Sequence, residues 1–328
     1  MMTVPAVLLA ALLVIPLSVI IIPVSVVIDL LRGRPRLPTL RVFVFGLNYL
    51  AWEVIAISFS AVMWFATGFG LLSGRHWSQE AHRKLQVVWA ASHIRMLRRA
   101  LGMRLEVINS ECLAPGPVVL LSRHASMIDT LIPIFIADEN HLGCRYVLKN
   151  ELLWDPALDI IGHRFPNYFV DRSGGNSGSA IDEVGALAAG TRDSEVFVIF
   201  PEGSRFTEAK RERALEKLRD SNPAAAERAE KLTRTMPPRT GGPIAALQMA
   251  PPGADIVVLA HTGLEGMAGP RELWRVVPFR HPIQIELWRI PRVEVPTDPD
   301  EQLAWLYDRW AEVDTWVGDH QPPGAPIS

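Results

Sequence analysis

Hydrophobic positions in this chain follow two regimes. Up to residue 74 they run almost unbroken: from Val4 to Leu31 only Asp29 is charged, and from Val42 to Gly74 only Glu53. A helix needs about 20 apolar residues to cross a bilayer, and both stretches exceed that. Pro5, Pro16 and Pro23 in the first are tolerable where neighbouring groups re-satisfy the backbone. Between residues 75 and 104 the pattern turns amphipathic. Ala90, Ile94, Leu97 and Leu101 recur at helical spacing and leave Arg95, Arg98 and Arg99 to another face. Arg75, Arg83, Lys84 and Arg104 add to that charge, against the single acid Glu80. A basic amphipathic helix behind an apolar anchor predicts a surface lying on anionic lipid headgroups.

Beyond residue 104 short apolar runs alternate with helical ones. Residues 117–122, 145–149, 167–170, 195–200, 256–260 and 282–288 read as strands, several of them apolar on both faces, as when both sides of a sheet are covered. Between them, Ser179 and Asp182 frame a capped helix closing at Gly190, and Pro243 opens another. Residues 208–235 form a charged, alanine-rich helical insertion. The last helix starts at an Asp298 cap with Pro299 at its first position, and Leu303, Leu306, Trp310, Val313 and Val317 make its apolar stripe. The class is α/β, a mixed, mostly parallel sheet flanked by helices, behind an N-terminal hydrophobic helical membrane anchor. The division expected is an embedded anchor over 1–74, one α/β domain over 75–320 that begins with the basic helix, and a Pro-containing tail over 321–328.

Composition narrows this. The 328 residues carry a formal net charge of only -2, which gives no global field for nucleic acid. Cys112 and Cys144 lie far apart without a C-x-x-C, which excludes a disulfide framework and suits a reducing compartment. No metal-ligand spacing is present. The connector between the apolar runs carries Arg32, Arg34, Arg36 and Arg41, which the positive-inside rule places in the cytoplasm. Two full crossings then put everything after residue 74 outside. A cytosolic domain instead requires that the runs be embedded from one side or form a re-entrant hairpin, and this is the arrangement expected.

Candidate chemistry begins at "LLSRHASMIDTL", residues 121–132. His124 ends a strand, where α/β sites lie, and Asp129 follows five residues later. A general-base histidine needs one ring nitrogen on the substrate and the other held by an acceptor. In a straight helix five residues at about 100° each set the two side chains roughly 140° apart. The pair therefore works only if His124 precedes the helix and folds back over Asp129. Ser126 and Asp129 also have the spacing of a capping box, in which Asp129 merely serves the helix start. Two further strand ends carry arginines suited to bidentate phosphate binding. "FVDRSGG" brings Arg172, and "FPEGSR" brings Glu202, Gly203, Ser204 and Arg205, with Gly203 permitting close backbone approach and its N–H available to a phosphate or oxyanion.

These blocks, with "IVVLAHTGL" later, resemble the glycerolipid (1-acylglycerol-3-phosphate type) acyltransferases over about residues 110–265. "FTEAK", "PPRTGG" and "WLYDRWAEVD" look like the branch containing lysophosphatidate and lysocardiolipin acyltransferases. The resemblance implies the fold of that family and a membrane enzyme of phospholipid biosynthesis. It implies that His124 deprotonates the free hydroxyl of a lysophospholipid, with Asp129 orienting it, and that the hydroxyl attacks the thioester of acyl-CoA or acyl-carrier protein. Glu202, Gly203, Ser204 and Arg205 would bind the glycerol-phosphate part and Arg172 its phosphate, with Lys149 and Arg239 as further phosphate contacts. No cofactor or metal is implied, the thioester being a co-substrate. The implied partners are a phospholipid membrane, the lysophospholipid and the donor, not nucleic acid, with the catalytic domain on the cytoplasmic face. Two departures stand out: Arg123 precedes His124 where the family often has Asn, and the fourth block has Leu259-Ala260 in place of its usual proline. His141, His163 and His261 read as plain polar histidines. The alternatives are an enzyme remodelling another lysophospholipid, such as lysocardiolipin or lysophosphatidylglycerol, and a non-catalytic phospholipid-binding protein. A serine hydrolase using Ser126 or Ser204 lacks a G-x-S-x-G elbow.

Overall fold

The computed structural model describes residues 3–170, 177–265, 267 and 270–322. Contacts divide the chain elsewhere than at residue 74. One unit gathers 1–104, 149–167 and 269–281, and the other holds 105–148, 168–268 and 282–328. The basic helix thus belongs with the two apolar ones.

In the first unit, α1 (Thr3–Leu31), α2 (Pro38–Ala66) and α3 (His76–Leu101) follow one another. The two acids of the apolar stretches have local tasks that explain their presence there. Asp29 is buried, and its Oδ2 accepts the Leu40 N–H (3.1 Å), closing the α1–α2 connection. Glu53, also buried, accepts the Ala157 N–H (3.0 Å) in the first turn of α5 (Pro156–Gly162). α3 runs antiparallel along α2. The Arg41 guanidinium donates to the Ala100 carbonyl (2.6 Å), Tyr49 packs on His93, and Phe59 packs on His82.

The second unit is built on seven strands: β1 (Leu105–Ile108), β2 (Val118–Ser122), β3 (Gly143–Lys149), β4 (Tyr168–Val170), β5 (Glu195–Ile199), β6 (Asp255–Thr262) and β7 (Ile283–Ile290). Their order is β1-β7-β6-β2-β5-β3-β4. The pairs β1–β7, β2–β5, β2–β6 and β3–β5 are parallel, whereas β6–β7 is antiparallel. β1 went unread in the sequence because four residues of alternating burial at a sheet edge leave little signal. The central strands are buried on both faces, Val118 to Leu121 and Ile256 to Ala260 having no exposure at all, as their apolar runs predicted.

Around the sheet lie α4 (Leu131–Glu139), α6 (Ser177–Ala189), α7 (Glu208–Ser221), α8 (Pro223–Glu230), α9 (Gly241–Met249) and α11 (Pro299–His320), while α10 (Pro270–Val276) belongs to the first unit. α6 starts two residues before the expected Ser179 cap. The 208–235 insertion is two helices, broken at Asn222-Pro223, where the Asn222 side chain caps α8 through the Ala225 N–H (3.0 Å). Asp298 caps α11 as expected, accepting the N–H groups of Asp300 (2.9 Å) and Glu301 (3.1 Å). The stripe Leu306, Trp310, Val313 and Val317 buries α11 against the sheet core.

Candidate active site

β2 delivers the site. After Ser122 the chain stays tied to β6 for one more residue, the Arg123 N–H donating to the Leu259 carbonyl (3.0 Å). It then leaves the sheet, and His124 stands in irregular backbone before a 3-10 turn at Ile128–Thr130 and α4. The His124 Nδ1 lies 3.1 Å from Asp129 Oδ1, with the imidazole tilted against the Phe200 ring at 5.0 Å between centroids. The other carboxylate oxygen, Oδ2, accepts the N–H groups of Ala125 (2.6 Å) and Ser126 (2.7 Å), while Ser126 Oγ accepts the Ile128 N–H (2.9 Å). Both readings of the His124–Asp129 stretch therefore hold at once: one oxygen of Asp129 caps the turn and the other faces the histidine.

That division has an electrostatic result. Asp129 is fully buried, and burial opposes its charge. The charge and hydrogen bond of His124, then His261 and the Ser126 N–H, outweigh burial and hold the carboxyl below its ordinary value. An ionised acceptor makes Nδ1 the protonated nitrogen of a neutral His124 and leaves the lone pair on Nε2.

The strand end at β5 brings in Glu202, which is 2% exposed. Its Oε1 accepts the His124 N–H (2.9 Å) and its Oε2 the Met236 N–H (3.1 Å). Burial pushes this carboxyl up to about 7, against the lowering effects of Arg123 and the two N–H donors. With both oxygens turned onto main chain, Glu202 braces the His124 segment and does not present itself as a ligand for a glycerol-phosphate. The Gly203 N–H, expected to be available to a phosphate or oxyanion, closes a turn on the Phe200 carbonyl (2.9 Å), and φ of +61° at this position explains the glycine. Ser204 and Arg205 are half-buried next to it. Arg239 is exposed, and its N–H donates to the Pro201 carbonyl (2.8 Å), so its segment lies beside the same strand end. Lys149 ends β3 and falls with residues 149–167 in the first unit. Arg172 lies outside the described residues.

Three residues of the site escaped the sequence reading. Arg123, the departure from the usual Asn, is buried with its guanidinium paired to Glu265 and donating to the carbonyls of His261 (2.5 Å) and Arg234 (3.1 Å). Glu265 also accepts the Thr262 hydroxyl (3.0 Å) and the Gly263 N–H (2.6 Å). Burial opposes its charge, but the Arg123 cation wins and its pKa is lowered. His261, at the end of β6, is fully buried; its Nε2 donates to the Arg123 carbonyl (3.1 Å) and stands 3.6 Å from Asp129 Oδ2. Burial lowers its pKa despite Asp129. The signal was present in "VVLAHTGLE", a histidine ending an apolar strand as His124 does. Among the described residues no group of three or more His, Cys, Asp or Glu is placed to hold a metal ion.

The fold and site define an α/β protein whose central strand ends in a histidine oriented by a buried carboxylate, an arrangement chemically able to take a proton from a hydroxyl. Residues 104–261 match the family model described as Acyltransferase. A search of curated proteins gave no match. A solved structure, the 1-acyl-sn-glycerophosphate (LPA) acyltransferase PlsC from Thermotoga maritima, aligns with 84% of this chain and 98% of its own at 13% identity and a TM-score of 0.49.

Proposed function

We propose that the protein moves a fatty acyl group from an acyl-CoA or acyl-carrier protein thioester to the free hydroxyl of a lysophospholipid, with 1-acylglycerol-3-phosphate as acceptor. The observation that carries the reading is the His124–Asp129 pair, its histidine ahead of the helix and its carboxylate fully buried. His124 Nε2 takes the hydroxyl proton, and Asp129 steadies the imidazolium that forms. The acceptor oxygen attacks the thioester carbonyl, the C–S bond breaks as the new ester forms, and the thiolate recovers the proton from His124. Arg205 and Arg239, near the same strand end, supply cations for the acceptor phosphate.

The membrane reading rests on the first unit alone. α1 and α2 are each 29 residues long with mean hydropathy 3.0 and 1.7, and almost nothing of either is buried within the protein. Yet α3 lies along α2, and the contacts given above set Trp89 opposite the middle of α2. Lys84 and Arg95, both exposed, then stand about 8–9 Å along α3 from that midpoint, inside a hydrocarbon half-thickness of about 15 Å if α2 crossed upright. Each such cation costs about 2.5–3.5 kcal/mol near the bilayer centre. The hairpin is therefore embedded from one side, with α3 at headgroup level. This also removes the conflict with the basic connector, since the chain after residue 74 returns to the side it came from.

Purified protein with lysophosphatidate and acyl-CoA is expected to release free thiol, and His124→Ala to lose about 10²–10⁴-fold of the rate. Undiminished turnover in that variant removes the base assignment. Transfer to lysocardiolipin or lysophosphatidylglycerol but not to lysophosphatidate makes it a remodelling enzyme. Lipid retention with no transfer to any acceptor makes it a binding protein.

A further inference from the structure

We propose that Asp314 of α11 is a positioning residue for His124, acting through the turn at residues 233–236. This rests on the reading of His124 as the base. Asp314 is an acid on the buried face of a helix otherwise lined by Trp310, Val313 and Val317. Its carboxylate has no ion-pair partner among the described residues and spends its acceptors on one turn of chain. Oδ2 accepts the Thr233 N–H (3.0 Å) and hydroxyl (3.3 Å), and Oδ1 accepts the Arg234 N–H (2.6 Å) with the Thr235 N–H (2.8 Å) and hydroxyl (2.9 Å).

The clamped turn has two outputs, and both end at His124. The Met236 N–H donates to Glu202 Oε2, whose Oε1 accepts the His124 N–H. The Arg234 carbonyl accepts from Arg123, the residue preceding His124. Nothing else among the described hydrogen bonds accepts the His124 N–H, so Glu202 sets where the histidine main chain sits, and the turn sets where Glu202 sits. A carboxylate suits this task because it accepts on both oxygens from several N–H donors at once, which neither an amide nor a hydroxyl can do. The ends of the insertion converge on the same point: Arg211 of α7 donates to the carbonyls of Glu230 (3.0 Å) and Leu232 (2.6 Å), directly before the turn. The charged segment 208–235 thus acts as a buttress for the turn.

Steady-state kinetics on Asp314→Ala and Asp314→Asn test this, with Asp308→Ala as control, since that change breaks only the exposed pair with Arg228 on the same helix. Displacing a base by about 1 Å costs up to about 100-fold, so Asp314→Ala should lower kcat by about 10–100-fold with KM for both substrates within about threefold. Asp314→Asn, which keeps one acceptor oxygen but sets an NH₂ group against the other N–H donors, should give a rate between those of Asp314→Ala and the wild type. Hydrogen exchange of the peptide holding His124 should quicken in Asp314→Ala and not in Asp308→Ala. A folded Asp314→Ala with unchanged kcat, or with KM raised and kcat unchanged, overturns the proposal. If Asp314→Ala does not fold, Asp314→Asn decides, unchanged kcat there being fatal. If the wild type turns over no acceptor, it is the assignment of the base that has failed, and unchanged exchange at His124 then separately refutes the mechanical link.

Discussion

Glu265→Ala should be among the most destabilising substitutions in the second unit. Its partner Arg123 has a side chain 2% exposed and Glu265 one 3% exposed, so the two charges meet where water cannot replace either. Removing the carboxylate leaves the guanidinium buried with only the carbonyls of His261 and Arg234, and it strands the Gly263 N–H and the Thr262 hydroxyl. Breaking a buried pair from one side costs about 3–5 kcal/mol, because the surviving charge keeps its desolvation penalty and loses its compensation. For a domain of this size about 2–4 °C accompanies each kcal/mol, so the unfolding midpoint should fall by roughly 6–20 °C. Replacing both residues together by methionine should recover most of the loss, because two apolar side chains of similar length carry no such penalty. Thermal unfolding of the wild type, Arg123→Met, Glu265→Met and the double methionine variant in one detergent closes a double-mutant cycle, with Glu265→Ala measured beside them. A fall below about 1 kcal/mol for Glu265→Ala, the value of an exposed pair, would refute the claim that these charges are desolvated.

Two further outcomes follow from the same electrostatics. Glu202 has its carboxyl raised from 4.5 to about 7 by burial, so the folded state holds that proton more tightly than the unfolded chain. Its contribution is therefore fully present below pH 4.5 and lost as pH rises through about 7, on the order of 3 kcal/mol across the window. Chaotrope unfolding at several pH values should show this slope in the wild type and lose it in Glu202→Gln; an identical slope in both excludes Glu202 as its source. The exposed stripe of α3 makes the other. Changing Arg95, Arg98 and Arg99 to glutamine should cut the preference for anionic over neutral vesicles by about 100-fold, at about 1 kcal/mol per cation, and 0.5 M salt should abolish the difference. An unchanged preference means that α3 faces away from the lipid.

The strands and most helices were legible because their patterns are local: runs apolar on both faces and caps such as Asp298. The His124–Asp129 geometry was legible too, since helix geometry alone required the histidine to stand outside the helix. What stayed hidden was non-local. Glu202 carries the look of a ligand-binding acid in "PEGSR", but its partners, His124 and Met236, come from elsewhere in the chain, and nothing in the motif shows that both oxygens point inward. Arg123 read as a departure from a pattern until Glu265, 142 residues on, supplied its counter-charge. The division at residue 74 followed hydropathy, whereas the packing follows α3, whose polar face disguised how much of its other face belongs to α2.

The sheet order has a consequence for the order in which the molecule can be made. β2, which carries His124, pairs on one side with β5, starting at residue 195, and on the other with β6, starting at residue 255. The clamp on the turn arrives later still, at residue 314. A ribosome adding about 5–20 residues per second reaches Asp314 roughly 10–40 s after His124. Until β5 is made, that apolar strand waits without either neighbour, and until β6 is made it has only one. The contacts that set the His124 main chain are complete only when the last helix docks, so a partly synthesised chain lacks the assembled site.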